Sequence, residues 1–293
     1  MTAARQIFCA GRNVEHYPDE RHTHPGLAAF LAAPDLPSGI HSIATHETFI
    51  DVLWTDRGLP TTVVVFHAAL KRSSGLTLPA FYGKQITGTG CNFLAVADPC
   101  LYRASPVNLA WYAGAANFPL QQILPSVLRK FLIRSRNIVF FGASGGGFAA
   151  LHYSHKFPGS LAIAVNPQTR ISLYNEQSVA TFLRLCHNDR DVLHAGNPVL
   201  NESVVDQYSY GYDNFVLYCQ NTEDDHIDIH MKPFIAAVRG TTGSGRTALH
   251  LHRWGEGHTA PPKSELKHLV QLAVASGGDW PRYLDRFTQI AND

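Results

Sequence analysis

Residues 138–150 read Ile-Val-Phe-Phe-Gly-Ala-Ser-Gly-Gly-Gly-Phe-Ala-Ala. An apolar run enters Gly142-Ala143-Ser144-Gly145-Gly146, and an Ala-rich helical stretch leaves it. The pattern G-x-S-x-G between a strand and a helix answers a chemical need. A serine that attacks an acyl carbon must stand clear of the backbone on a tight, strained turn. Side chains at 142 or 146 would collide with the neighbouring strand or helix, so both positions need glycine. A helix beginning near Gly145 would aim its free N–H groups and positive dipole end at a developing oxyanion. By itself the pentapeptide could be a Gly-Ser turn without chemistry. An acid and a base, in the order Ser, Asp, His, would give it meaning.

Both follow downstream. Residues 215–220, Phe-Val-Leu-Tyr-Cys-Gln, read as a buried strand, and the polar turn Asn221-Thr222-Glu223-Asp224-Asp225-His226 comes at its end. Asp224, three residues after Asn221, is preferred as the acid; Asp225 and Glu223 are the alternatives. Residues 247–252 alternate as a last strand and lead into Arg253-Trp254-Gly255-Glu256-Gly257-His258. With 16 histidines in the chain, a histidine near its end says little by itself. His250 and His252 lie within the strand pattern and read as structural. His258 is favoured by its loop position and its Gly257 neighbour, which suit a general base.

Two backbone N–H donors must accompany the nucleophile. Gly145, the residue after the serine, is one. The other belongs to the loop after strand 61–66, which begins His67-Ala68-Ala69. Ala69 is the preferred donor and Ala68 the alternative, since small side chains let a substrate approach the backbone. The His67 side chain reads as a structural hydrogen-bonding group. Asp98-Pro99 reads as a turn-forming pair that also stands where a substrate hydroxyl could reach.

These residues need a scaffold. Strand patterns recur at 48–54, 61–66, 92–97, 137–141, 161–165, 214–220 and 247–252. Helical patterns fall near 119–133, 146–156, 230–239, 263–275 and 279–290. Alternation of this kind predicts an α/β fold: a mostly parallel central sheet of about eight strands with helices on both faces. A single domain over 1–293 is expected, with residues 170–212 as a cap inserted over the nucleophile. Tyr174, Tyr208, Tyr210 and Tyr212 of that insertion, with Trp254, suggest an aromatic-lined pocket.

With these residues in place, the chain resembles the α/β-hydrolase superfamily over most of residues 48–290. The resemblance rests on the Gly142–Gly146 turn, the His67-Ala68-Ala69 loop, the Asp224 turn and the His258 loop. It implies an ester hydrolase with a Ser144–Asp224–His258 triad and an acyl-enzyme intermediate. Ala68 departs from the family pattern, where glycine is usual. More narrowly, the stretch from Phe141 to Ala150, Val165-Asn166-Pro167-Gln168-Thr169 and the Asn221 turn are similar to bacterial hydrolase-like proteins that accompany surface-glycan synthesis and accessory secretion. That similarity implies acyl transfer to or from carbohydrate hydroxyls, or deacetylation. A catalytically silent binding protein on the same fold is the alternative of another class.

Other chemistries fit less well. The short-chain dehydrogenase pattern needs glycine where Phe148 stands, and Tyr153 and Lys156 are three apart rather than four. No Lys-Ser or Lys-Thr follows the glycines as a P-loop requires. His226 and His230, with Asp224, Asp225 and Asp228 nearby, have helical metal-ligand spacing but read as a solvated polar turn. No cofactor and no metal are therefore expected. Net charge is +1 with no long basic stretch, so no nucleic-acid partner is expected; a small-molecule ester or an acylated carbohydrate is. No run approaches a membrane span, and Met1 to Cys9 lack the apolar core of a secretory leader. The five scattered cysteines, without a C-x-x-C, read as reduced thiols of a cytoplasmic protein.

Overall fold

The computed structural model describes residues 7–71, 76–194 and 196–290. In chain order the elements are β1 (Arg21–His24), α1 (Leu27–Ala32), β2 (Gly39–Ala44), β3 (Phe49–Thr55), β4 (Thr61–Phe66), α2 (Lys84–Thr87) and β5 (Asn92–Val96). Then come α3 (Leu120–Leu132), β6 (Asn137–Ala143), α4 (Gly145–Ser154), β7 (Leu161–Val165), α5 (Glu176–His187), α6 (Val204–Ser209) and β8 (Phe215–Asn221). The chain closes with α7 (Lys232–Val238), β9 (Thr247–His252), α8 (Lys263–Ala275), α9 (Trp280–Leu284) and β10 (Thr288–Gln289).

The ten strands among the described residues belong to one sheet, ordered β1-β2-β3-β5-β4-β6-β7-β8-β9-β10. From β5 to β9 every pairing is parallel. Successive side chains of a strand face opposite sides, which divides the core in two. Val64, Phe66 and Phe140 pack on one face with α1, α3, α4, α5, α6 and α7. Val63, Val65, Val139 and Phe141 pack on the other with α2, α8 and α9. Strands buried on both faces must be apolar throughout, and Thr61–Phe66 and Leu161–Val165 are buried at every position.

The architecture is the predicted one, with ten strands rather than about eight. The unforeseen strands lie at the sheet margins. β1 reads Arg-His-Thr-His, is nowhere fully buried, and is held by its parallel register with β2. A sequence of that kind carries no apolar alternation. The predicted helix 279–290 stops at Leu284, and Thr288–Gln289 then pairs antiparallel with β9. The predicted helix 230–239 begins at Lys232, after a wide π turn over Ile227–Met231.

Residues 170–212, described apart from residue 195, carry α5 and α6. Their tyrosines do not share one pocket. Tyr208 and Tyr212 are buried in the core, whereas Tyr210 is 92% exposed. The Tyr208 hydroxyl is spent on the Leu151 carbonyl and the Asn214 amide, and that of Tyr212 on Thr247. Tyr174 instead packs against Trp111 and His226.

At the β1–β2 margin His41 is fully buried. It donates from Nε2 to the Pro37 carbonyl (2.8 Å), while its Nδ1 meets His24 (3.0 Å). Burial pushes its pKa down to about 4. An unfolded chain protonates this residue near pH 6.5, so between pH ~6.5 and pH ~4 the unfolded state binds the extra proton. The contribution of His41 to stability is therefore lost as pH falls through that window. Equilibrium unfolding at pH 7, 6 and 5 is expected to show stability falling with acid. His41→Gln should make the fall shallower by about 1 kcal/mol per pH unit.

Candidate active site

The site begins where β6 meets α4. Gly142 pairs with Phe66 of β4 on one side and Ala164 of β7 on the other, which leaves the chain no lateral freedom. It must then turn at once into a helix. A Cβ on Gly142 would lie 2.0 Å from the Gly146 carbonyl oxygen, and one on Gly146 would lie 2.4 Å from that of Phe66. Only glycine satisfies either contact. Ser144 takes up the turn at φ 54° and ψ −120°, a region that costs a non-glycine residue roughly 1–3 kcal/mol. Its N–H is tied to the Val165 carbonyl at 2.9 Å.

Ser144 Oγ stands 3.0 Å from His258 Nε2, and His258 Nδ1 stands 2.7 Å from Asp224 Oδ2. The second Asp224 oxygen accepts the His226 N–H at 3.0 Å. Of the three candidate carboxylates, Asp224 is buried against the imidazole. Glu223 turns outward to Arg253, and Asp225 is exposed. Burial raises the Asp224 pKa, but the hydrogen bonds from His258 and the His226 N–H outweigh it, so the carboxylate titrates below its usual range. His226 lies with its ring centroid 4.1 Å from that of His258. Burial, then the nearby His258, pushes its pKa down to about 4; burial pushes that of His230 to about 3. Both are neutral neighbours of His258 at pH 7.

No protein-family model matches this sequence, and no curated protein does. Solved structures resemble it in shape. An S-formylglutathione hydrolase from Agrobacterium tumefaciens aligns with a TM-score of 0.50 at 15% identity, over 84% of this chain and 95% of that one. Prolyl oligopeptidase B from Galerina marginata aligns with a TM-score of 0.51 at 12% identity, over 82% of this chain. The chain spans 36% of that protein's length. The chain has the α/β-hydrolase fold.

In that fold the loop after β4 faces the elbow. Here Ala68 is half-buried and Ala69 exposed, and among the described residues neither N–H, nor that of Gly145, meets an acceptor. The loop is braced from behind. The His67 N–H donates to the Tyr112 hydroxyl (2.8 Å), and His67 Nε2 accepts the Asp98 N–H (3.2 Å). Asp98 accepts from the N–H groups of Cys100 and Tyr112, with one oxygen each, at 3.1 and 2.8 Å. Burial raises its pKa to about 6. Its side chain is engaged as a cap and brace.

Several site residues give no sequence signal of their role. Asn221, at the end of β8, is buried and clamps the His258 loop. Its amide donates to the carbonyls of Gly255 (2.8 Å) and Gly257 (2.6 Å), and its oxygen accepts the Trp254 N–H (2.9 Å). Asn166 accepts the Asn221 N–H and donates to the Thr259 carbonyl. Tyr174 packs edge-on between Trp111 and His226, with ring centroids 5.9 Å from each. Gln168 touches Ser144 Oγ, at 2.7 Å. Trp254 departs from its expected place in a pocket: its indole N–H is bound to Glu265, which also holds His250.

The residues with metal-ligand spacing come together in part: the rings of His226 and His230 lie 4.6 Å apart. Asp225 and Asp228 face outward, and Asp228 pairs with Lys232. Ligand atoms of Asp224, His226 and His258 lie within 4.8 Å of one another, but Asp224 and His258 are bonded to each other.

Asn221→Ala would strip three backbone groups of their partners. Denaturant unfolding is expected to show a loss of about 2–3 kcal/mol, and limited proteolysis to cut first in the loop 253–259.

Proposed function

We propose that the protein is a serine hydrolase that cleaves carboxylic esters through an acyl-enzyme. The observation that carries this reading is the unbroken line Ser144–His258–Asp224, with contacts of 3.0 and 2.7 Å. His258 takes the Ser144 proton as Oγ attacks the ester carbonyl. Asp224 holds the imidazole with its proton on Nδ1 and stabilises the positive charge that forms. The N–H groups of Ala69 and Gly145 receive the oxyanion; losing one such donor costs on the order of 3 kcal/mol in the barrier. His258 then protonates the departing alcohol, and water resolves the acyl-enzyme by the same steps in reverse. No metal or cofactor is required.

The segment 170–212 serves as a partial cap in this reading, since Tyr174 and Phe182 pack at 5.9 and 5.4 Å on Trp111 beside the elbow. No helix among the described residues is long and apolar enough to cross a membrane. The unpaired thiols, four buried and Cys9 exposed, support a reducing, cytoplasmic setting.

Release of p-nitrophenol from acetyl, butyryl and octanoyl esters tests the assignment. Ser144→Ala is expected to lose at least about 10³-fold in kcat, and Asp224→Asn about 10⁴-fold, with Asp225→Asn near native. Equal turnover by native protein and Ser144→Ala would overturn the reading. Faster p-nitrophenol release on adding a carbohydrate alcohol, with an acylated sugar as product, would make the enzyme an acyltransferase.

A further inference from the structure

Gln168 is fully buried beside the nucleophile, three residues past the end of β7. Its side-chain Nε2 lies 2.7 Å from Ser144 Oγ, and its Oε1 lies 3.1 Å from Trp111 Nε1. An indole N–H can only donate, so it fixes which end of the amide is oxygen. The NH2 group must face Ser144. Trp111 is itself fully buried at φ 51°, next to Tyr112 at φ 55°. Consecutive non-glycine residues hold such conformations only where their surroundings enforce them. The pair borders the elbow directly: a Cβ on Gly145 would lie 2.3 Å from Leu109 Cδ1, 3.3 Å from the Trp111 ring and 3.4 Å from Gln168 Oε1.

The proton inventory then determines what Gln168 does. The Ser144 hydroxyl has one hydrogen and two lone pairs. Its hydrogen goes to His258 Nε2, so Gln168 donates to a lone pair of the same oxygen. Such a bond strengthens as Oγ becomes more negative. Oγ is most negative at two moments: when it surrenders its proton to attack, and when the C–Oγ bond breaks as the acyl-enzyme is resolved. Gln168 lies beside Gly145 but comes from the other side of β6 than the Ala68–Ala69 loop. It follows β7, whereas Ala68 and Ala69 follow β4, and these strands flank β6 on opposite sides.

We propose that Gln168, oriented by Trp111, is a catalytic hydrogen-bond donor to the nucleophile oxygen, distinct from the donors to the carbonyl oxygen. It transfers no proton. In acylation the Ser144 proton passes to His258, the Oγ–C bond forms, and the alcohol leaves with the proton from His258. In deacylation water gives its proton to His258, the new O–C bond forms, and Oγ leaves and regains a proton from His258. Gln168 donates to Oγ in both steps. The proposal rests on Ser144 being the nucleophile.

A fluorophosphonate probe, which phosphonylates an activated serine whatever its natural substrate, supplies the test. Labelling is located by peptide mass, and its rate is compared between native protein, Gln168→Met, Gln168→Glu and Trp111→Phe. Gln168→Met keeps the length of the side chain without a donor. Gln168→Glu keeps the acceptor for Trp111, and at pH 8 its carboxylate has no proton to give. Both are expected to label Ser144 about 10²-fold more slowly. On p-nitrophenyl acetate, kcat is expected to fall with KM within about threefold of native. The Glu variant should recover relative to the Met variant as acid protonates its carboxyl, which a purely structural role would not produce. Trp111→Phe, which frees the amide to turn over, should lose less, about tenfold. A native protein unlabelled at Ser144 overturns both the hydrolase reading and this one. A native protein labelled at Ser144, with a folded Gln168→Met or Gln168→Glu labelled within twofold of its rate, overturns this one alone. If both Gln168 variants fail to fold, Trp111→Phe decides: a native rate overturns the proposal, and a tenfold loss supports it.

Discussion

The contact between Gly142 and Gly146 sets the rest of the site. A β-carbon at either position would lie within 2.4 Å of a backbone oxygen. Strand β6 and helix α4 can therefore meet only through bare backbone. Because β6 is locked between β4 and β7, the turn cannot be relieved sideways, and Ser144 carries it at positive φ. The serine thereby stands at the carboxyl edge of the parallel strands, where the loops after β4, β7, β8 and β9 converge.

Those loops are held by buried amides and hydroxyls. Asn166, Asn221, Gln168 and Tyr112 each join two segments, and all four are almost wholly buried. An apolar contact tolerates small displacements, whereas a buried hydrogen bond weakens steeply as its angle opens. Left unpaired, the same groups would be costly, so they hold one geometry. Of the six non-glycine residues with positive φ among the described residues, four surround the site: Trp111, Tyr112, Ser144 and Asn166. Strain of this kind persists only within such a rigid frame.

The electrostatic surroundings suit a site that handles one charge at a time. Asp224 is anionic and pinned by two donors. His226 and His230, close enough to compete for a proton, are kept neutral by burial, with pKa values of about 4 and 3. A proton arriving at His258 thus meets one fixed negative charge and no second positive one. The single carboxylate in contact with the imidazole determines where that charge is balanced.

The strand–turn–helix around Ser144 was legible in the sequence because part of its constraint is local: glycine at 142 is demanded by a carbonyl four residues on, while glycine at 146 is demanded by the Phe66 carbonyl of the neighbouring strand. The central strands were legible because burial on both faces forces continuous apolar runs such as Thr61–Phe66. β1 and β10 were not, since polar margin strands are held by backbone pairing that any sequence can supply. Asp224, Asp225 and Glu223 are equivalent in a sequence, and only the turn after β8 decides which one faces His258. The roles of Asn221, Gln168 and Trp111 depend on partners as far as 57 positions away, such as Trp111 to Gln168. The sequence determined the turn and the hydrophobic layers, because short-range sterics and burial write themselves into residue type. Tertiary structure alone decided which polar groups meet, because a hydrogen bond between distant segments depends on angles and distances that no spacing in the chain records.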